Sequence, residues 1–498
     1  MKATKVGKFR TILPQILACV AKNLILMDIG MSIVFPSIVI PILQGTDPER
    51  RERDGLTFTD VQASWFGSLA FIFQPIGCIL SGWITERVGR KRAMIFVNFP
   101  HIIAWLLLHF ATSVEEMYAA AIILGLGVGF METPVISYIG EICQPSIRGI
   151  LTATTGVAAT LGYSIVYLLG SVTNWRNAAL VCFATPILTI LAILFLPDSP
   201  IWLISRHREE EALRSLQWLR GWVPRQNVQE EFQQLRKFHS TKKDEKQEYR
   251  LFNKSTLKPF FIVTMFFVFT QMSGLAGMRP YLVQIFHTYQ VPVDPNWATV
   301  IVGLLKLSGN ICCMISIRFL GKRRIILIST AGVAISCLSI GFYAFLNLPH
   351  GISSFDQNSR VENPQGIYPL IGFFILSFLT SFGIAPLPWV LLSEILPFRS
   401  RGLTSGISAA INYILVFVAA KTYLNLERGL SLHGVIWLYA SVGAIAFIFH
   451  FFLMPETEDR SLEEIEQHFT TQKITNIHIQ KITKYSTCTQ KDESLPLA

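Results

Sequence analysis

Charge is what this sequence has least of. Of its 498 residues only 15% are Asp, Glu, Lys or Arg, while 51% are hydrophobic and the mean hydropathy is +0.44. Soluble domains carry roughly 25% charged residues. A chain this poor in charge cannot clothe a surface in water, so lipid must cover much of it. Catalytic signatures are missing as well. No HExxH, GxSxG or P-loop occurs, and no carboxylate cluster, which argues against a membrane enzyme and against ATP-driven pumping. The eight cysteines make no CxxC pair and no disulfide-like framework. Nearly all sit in or beside apolar runs and read as small apolar side chains. The net charge of +10 does not point to nucleic acid, because no basic-aromatic module appears and the Lys and Arg residues fall between apolar runs. No cofactor, metal or nucleic-acid partner is expected.

What the chain does have is apolar length. A helix needs about 20 apolar residues to cross the hydrocarbon core. Runs of that order fall near 16–42, 62–84, 93–112, 117–139, 150–171, 177–197, 259–287, 298–320, 324–346, 367–393, 403–424 and 433–454. They predict an all-α membrane protein of 12 transmembrane helices. The stretch from Pro200 to Lys258 is charged and helical in period, and predicts short amphipathic helices outside the bilayer. The basic N-terminus MKATKVGKFR precedes a long apolar run without a small-residue cleavage site, so it reads as a retained first helix. With the N-terminus in the cytoplasm, the cytoplasmic segments hold 33 of the 43 Lys and Arg and the outer loops 6. That bias predicts both termini on the cytoplasmic side of the cell membrane. The tail after Phe469 is polar and is expected to be disordered.

The chain also repeats itself. Glu141, Arg148 and Gly149 recur as Glu394, Arg401 and Gly402, and Gly89-Arg90-Lys91-Arg92 recurs as Gly321-Lys322-Arg323-Arg324. Pro197-Asp198-Ser199-Pro200 recurs loosely as Pro455-Glu456-Thr457. The expected organisation is a six-helix bundle over 1–198, a cytoplasmic helical linker over 199–257, a second six-helix bundle over 258–455 and a tail over 456–498. Two halves of this kind build secondary transporters, with the substrate site between them at mid-membrane. Glu and Arg seven residues apart lie about two turns apart on one helix face, within reach of the basic turn. Glu86, Arg87, Arg90, Glu141, Arg148, Glu394 and Arg401 are therefore candidates for a gating latch, or else anchors at the interface.

At this point the motifs resemble a known family. GWITERVGRKR (82–92), PDSPIWL (197–203), TQMSG (270–274), PLPW (386–389), SEILPFRSRG (393–402) and PETEDRSLEEI (455–465) resemble the sugar porter branch of the major facilitator superfamily. ISYIGEI and YLVQIF resemble segments of insect facilitated trehalose transporters. The resemblance covers nearly the whole chain and implies a major facilitator fold. It implies that Gln271, Trp389 and Asn412 line a sugar site, amides serving hydroxyls and the indole a sugar's apolar face. Helix–helix hydrogen bonds and plain packing are the alternatives for these residues. Tyr281 falls at a possible outer gate. Gly274, Gly277 and Pro280 in the seventh span, and Gly383, Pro386 and Pro388 in the tenth, are expected to break their helices.

Several family positions differ. Thr270, Ala276 and Gly156 stand where amides are usual, and Lys306 where the eighth span has a neutral polar residue. The acid of the second basic turn is replaced by Arg318, and an Arg after the first half by Ile201. Glucose is therefore a poor specific expectation, and a disaccharide, a polyol or a charged small molecule stays open. Asp28 is a possible coupling acid, but the Arg that serves such an acid in proton-coupled relatives is Ala121 here. Glu132, Arg279 and Lys306 could pair with Asp28 or with substrate. The expected function is facilitative sugar transport, trehalose or hexose-like, with proton symport and a non-transporting sugar sensor as alternatives.

Overall fold

A computed structural model of the chain describes residues 7–45, 56–244, 254–349, 351–355, 366–396 and 401–458. The tail after Phe469 and the termini themselves lie outside them. Within a bilayer every backbone polar group must be satisfied by the chain itself, which leaves helices as the economical solution for these apolar runs. The described residues are helical almost throughout, and no strand occurs among them. The first half begins with α1 (Lys8–Val34) and α2 (Pro36–Leu43), which run on as one span through Phe35, followed by α3 (Asp60–Val88). Next come α4 (Arg90–Phe96), α5 (Asn98–Phe110), α6 (Val114–Ile142), α7 (Pro145–Val172) and α8 (Trp175–Leu194).

Three amphipathic helices follow, as the charge pattern predicts: α9 (Pro200–Ser205), α10 (Glu209–Leu219) and α11 (Arg225–Asp244). They share a small apolar core of their own and dock on the first half, where Arg220 donates to the Ile142 carbonyl and Arg10 to that of Gly221. The side of the molecule that carries them is termed here the linker end, and the opposite side the far end.

The second half runs through α12 (Lys254–Met272), α13 (Leu275–Met278), a 3₁₀ turn (Arg279–Tyr281), α14 (Leu282–Thr288), α15 (Pro295–Leu320) and α16 (Lys322–Asn347). It ends with α17 (Ile367–Leu379), α18 (Leu387–Glu394) and α19 (Arg401–Leu453). Among the described residues ten helices are long and apolar enough to cross a membrane, eleven with the bent pair formed by α12 and α13–α14. Drawn straight, the 53 residues of α19 would reach about 80 Å at 1.5 Å per residue, far beyond one bilayer. It reverses at Ser431, whose φ of 64° is non-helical. Residues from both arms, Ala419 and Tyr439, crowd the same Gly277.

Helices α1–α8 pack mainly among themselves, as do α12–α19; α3 against α19 and α7 against α15 form the seam between the two groups. Small residues set the close approaches within each group. A Cβ on Gly125 or Gly129 would stand 2.1 or 2.2 Å from the carbonyl oxygens of Ala70 and Gln74 across the α3–α6 contact. Helices meet this closely in lipid because dispersion and packing, not a hydrophobic driving force, hold them. Outward faces carry residues such as Ile79, Phe195 and Phe319, all exposed, as a lipid-facing surface requires.

Gly129→Val should therefore force α3 and α6 apart and cost about 1–3 kcal/mol, seen as loss of monodisperse protein in detergent. Gly140→Val, with open space at its Cβ, should elute as the parent does.

Candidate functional site

Both expected helix breaks are present. The seventh span bends by 47° between Met272 and Leu275, with Gly274 at φ +109°. The tenth is interrupted by a π-helical turn, Thr380–Ile384, before Pro386. The groups freed there find side-chain partners. Ser329 donates to the Leu379 carbonyl at 2.7 Å and accepts from the Ile384 N–H at 2.8 Å, and Thr270 donates to the Ile384 carbonyl at 2.8 Å. Thr270, which stands where the family has an amide, thus ties the two broken spans together.

The candidate sugar residues gather beside these breaks. Gln271 Nε2 donates to Asn412 Oδ1 at 2.8 Å. Trp389 packs edge-on to Phe267 with centroids 5.0 Å apart, and lies 6.3 Å from Tyr413. Tyr413 in turn donates to Glu132 of the first half. Consecutive residues of α19 therefore serve both sides: Asn412 within its own half, Tyr413 across the seam. Gly156 faces Asn310 of the opposite half, whose Oδ1 lies 3.1 Å from where a Cβ would be. Asn310 was not singled out from the sequence, although it sits one turn beyond Lys306 on the same buried stripe of α15. That i, i+4 spacing is the signal that marks it. Tyr281 is buried and stacks on Tyr423 at 5.4 Å, with Phe355 edge-on at 5.1 Å.

The intramembrane charges resolve into separate groups. Asp28 is fully buried and meets none of Glu132, Arg279 or Lys306; it lies 2.5 Å from His101 Nδ1 and accepts from Trp105 Nε1 at 2.9 Å. No motif in the sequence links Asp28 to His101. Lys22 hydrogen-bonds Thr155 at 3.2 Å, an interhelical contact. Lys306 and Arg279 instead both lie against the ring of Tyr163, 5.5 and 5.7 Å from its centroid.

At the linker end the two halves build the same cluster twice. Arg90 reaches Glu141 at 2.9 Å and Glu86 at 2.8 Å, and Ser199 donates to Glu141. Lys322 reaches Glu394 at 2.8 Å, and Thr457 donates to Glu394 at 2.8 Å. Gly89 and Gly321 take φ values of 100° and 75°, which lets Asp198 and Glu456 approach the turns. Asp198 then accepts from the Lys91 N–H, and Glu456 from those of Lys322 and Arg323. An acid at a helix start satisfies orphan N–H groups and complements the dipole. The basic turns reach their Glu partners, as the spacing implies. Arg87 does not join: its guanidinium lies over Trp83, 4.0 Å from the centroid. The side chains of Arg148 and Arg401 lie outside the described residues. Among the described residues, each cluster closes within its own half.

The contacts that join the halves end to end lie at the far end. Asp60 pairs with Arg428 and accepts from Gln44 at 2.7 Å; Gln44 also accepts from Gln284. Ser64 donates to the Lys421 carbonyl. The sequence offers no spacing rule for partners 368 residues apart.

The model of the family described as "Sugar (and other) transporter" matches residues 29–469. This chain belongs to that family. Facilitated trehalose transporter Tret1 of Apis mellifera ligustica is 31% identical over 479 residues, spanning 94% of this chain and 92% of the relative. The Tret1 of Polypedilum vanderplanki is 30% identical, spanning 91% and 87%. Among solved structures, the major facilitator proton:xylose symporter XylE bound to 6-bromo-6-deoxy-D-glucose superposes with a TM-score of 0.72 at 21% identity, covering 92% of this chain and 100% of that one. An inward-open XylE from E. coli also gives 0.72, covering 91% and 99%. The fold of this sugar transporter family member is thus the major facilitator fold, and the chain is a multi-pass membrane protein.

Loss of the far-end ion pair in Asp60→Ala should shift the balance toward a state open at that end. An exposed pair contributes roughly 0.2–1 kcal/mol, so the shift is up to about fivefold. A single cysteine at Phe71, now 5% exposed against Val416 and Ala420 of α19, should react with maleimide faster by that factor.

Proposed function

We propose that the chain is a facilitative carrier for a sugar, trehalose or hexose-like, working by alternating access of its two halves. The halves are taken as 1–198 and 258–455, joined by 199–257. The observation that carries this reading is the group beside the two broken spans: the Gln271–Asn412 amide pair and the Trp389 indole, next to the Tyr413–Glu132 bond that crosses the seam. Amides meet hydroxyls, an indole meets the apolar face of a pyranose, and broken helices let the walls bend. The trehalose assignment leans on the names of the insect relatives.

The linker end, rich in Lys and Arg, is assigned to the cytoplasm and the membrane to the cell surface. With the far end closed by Asp60, Arg428, Gln44 and Gln284, the conformation corresponds to the inward-facing side of the cycle. The clusters on Glu141 and Glu394 then serve as latch halves that engage when the linker end closes. Facilitated transport is favoured over symport because Asp28 is committed to His101 and Trp105 and position 121 is Ala. The buried Asp28–His101 pair is the one feature that supports symport, since ionisable groups inside a span mark proton relays.

Purified protein in proteoliposomes should take up labelled trehalose or a hexose saturably, down its gradient and indifferently to a protonophore. Trp389→Ala and Gln271→Ala should each lower kcat/KM about tenfold or more. A bound sugar without flux would replace the carrier with a sensor. Loss of accumulation with protonophore and in Asp28→Asn would replace the uniporter with a symporter.

A further inference from the structure

Two cations beside the seam, Lys306 and the half-buried Arg279, lack counter-charges. Lys306 is 3% exposed, about 16 Å into α15 from Pro295 and so near mid-membrane. No carboxylate among the described residues lies within ion-pair distance of Lys306 or Arg279. The three acids inside the spans are each committed elsewhere: Asp28 to His101 and Trp105, Glu132 to Tyr413, and Glu427 to the hydroxyls of Ser353 and Ser354. What the two cations share is the face of Tyr163, which comes from the other half.

An aromatic ring attracts a cation weakly through its quadrupole. It cannot replace the hydration that an ammonium loses on burial, and two like charges at one ring repel. An unpaired charge is kept in a membrane protein where a ligand completes it. The missing partner is an anion placed between α7, α15 and the break in the seventh span, on the same seam as Trp389 and Gln271.

We propose that Lys306 and Arg279, which share the ring of Tyr163, form an anion subsite at the seam between the halves, so that the carrier takes a sugar bearing a carboxylate or a phosphate. This deepens the sugar-carrier reading and rests on it. The sugar body occupies the amides and the indole, and the oxyanion receives hydrogen bonds from the ammonium and the guanidinium. Neutral binding is weakened because it leaves both cations unpaired.

The test uses the full chain in proteoliposomes, with glucuronate, glucose 6-phosphate, glucose, trehalose and inorganic phosphate as unlabelled competitors of labelled uptake and as labelled cargo. Glucuronate or glucose 6-phosphate should compete at concentrations at least tenfold below glucose; which of the two does so identifies the oxyanion. An inside-positive potential should speed entry of the acidic sugar. Lys306→Gln should erase the preference of acidic over neutral sugar at least tenfold, and Lys306→Arg should keep it. Without ligand, Lys306→Gln should unfold at a higher temperature than the parent, since it removes an unpaired buried charge; a fall in that temperature overturns the proposal. Trehalose uptake with acidic sugars no better than glucose, or a preference unchanged in Lys306→Gln, also overturns it while leaving the carrier intact. Inorganic phosphate competing as well as glucose 6-phosphate detaches the anion from the sugar and overturns it too. If no sugar, neutral or acidic, enters or competes, the carrier reading falls and this inference with it.

Discussion

The requirement that no backbone polar group be left bare in hydrocarbon governs the rest of this structure. It makes continuous helices the default and confines every interruption to places where side chains can answer for the lost bonds. The tenth span can open into a π turn because Ser329 and Thr270 are there to take up the carbonyls of Leu379 and Ile384 and the Ile384 N–H. The same economy explains why the breaks and the polar cluster coincide. A region that can host an irregular backbone is already furnished with hydroxyls and amides, and those groups are what a polyhydroxylated cargo needs.

Helix ends obey a related rule, but the two faces of the molecule apply it differently. At the far end α3, α6, α8 and α15 start with local caps on Thr59, Ser113, Asn174 and Asp294. At the linker end α4 and α16 start against the distant acids Asp198 and Glu456. Local caps hold a helix start whatever its neighbours do. Remote caps tie α4 to the end of α8 and α16 to the end of α19, and the Arg90–Glu141 and Lys322–Glu394 pairs add α6 and α18. Each half is therefore stiff at the linker end, while the bonds that cross between halves at the far end are few and polar. Stiff bodies with weak mutual contacts can rock, which alternating access requires.

Much of this was legible in the sequence because its signals are long or repeated. Twenty-residue apolar runs announce spans, and the offsets between Glu141 and Glu394 or Gly89 and Gly321 announce duplicated clusters. The breaks at Gly274 and around Pro386 follow from residue type. The hidden part depends on which helix faces which. Arg87 has the charge of a latch residue, but Trp83 one turn away offers a face that captures it. Asp60 and Arg428, or Asp28 and His101, share no pattern along the chain. Tyr163 is one aromatic among many until Lys306 and Arg279 are seen on its face. Tertiary pairing, unlike periodicity, has no local trace.

The distribution of buried charge separates what the fold needs from what transport needs. Asp28 with His101 and Trp105, Glu427 with Ser353 and Ser354, and the two linker-end clusters each find their partners within one half, so in this conformation they hold that half together. Glu132 is satisfied only across the seam, by Tyr413, and must lose that partner whenever the halves part there. Lys306 and Arg279 are satisfied by a ring alone, and that ring belongs to the opposite half. A rocking motion would change the surroundings of these last three groups, part the far-end pair Asp60–Arg428 and bring the linker-end clusters together, while Asp28 and Glu427 keep their partners. In the proposed cycle the charges at the seam and at its two ends are therefore the ones whose free energy differs between the two faces, and only such groups can bias a conformational equilibrium or respond to cargo.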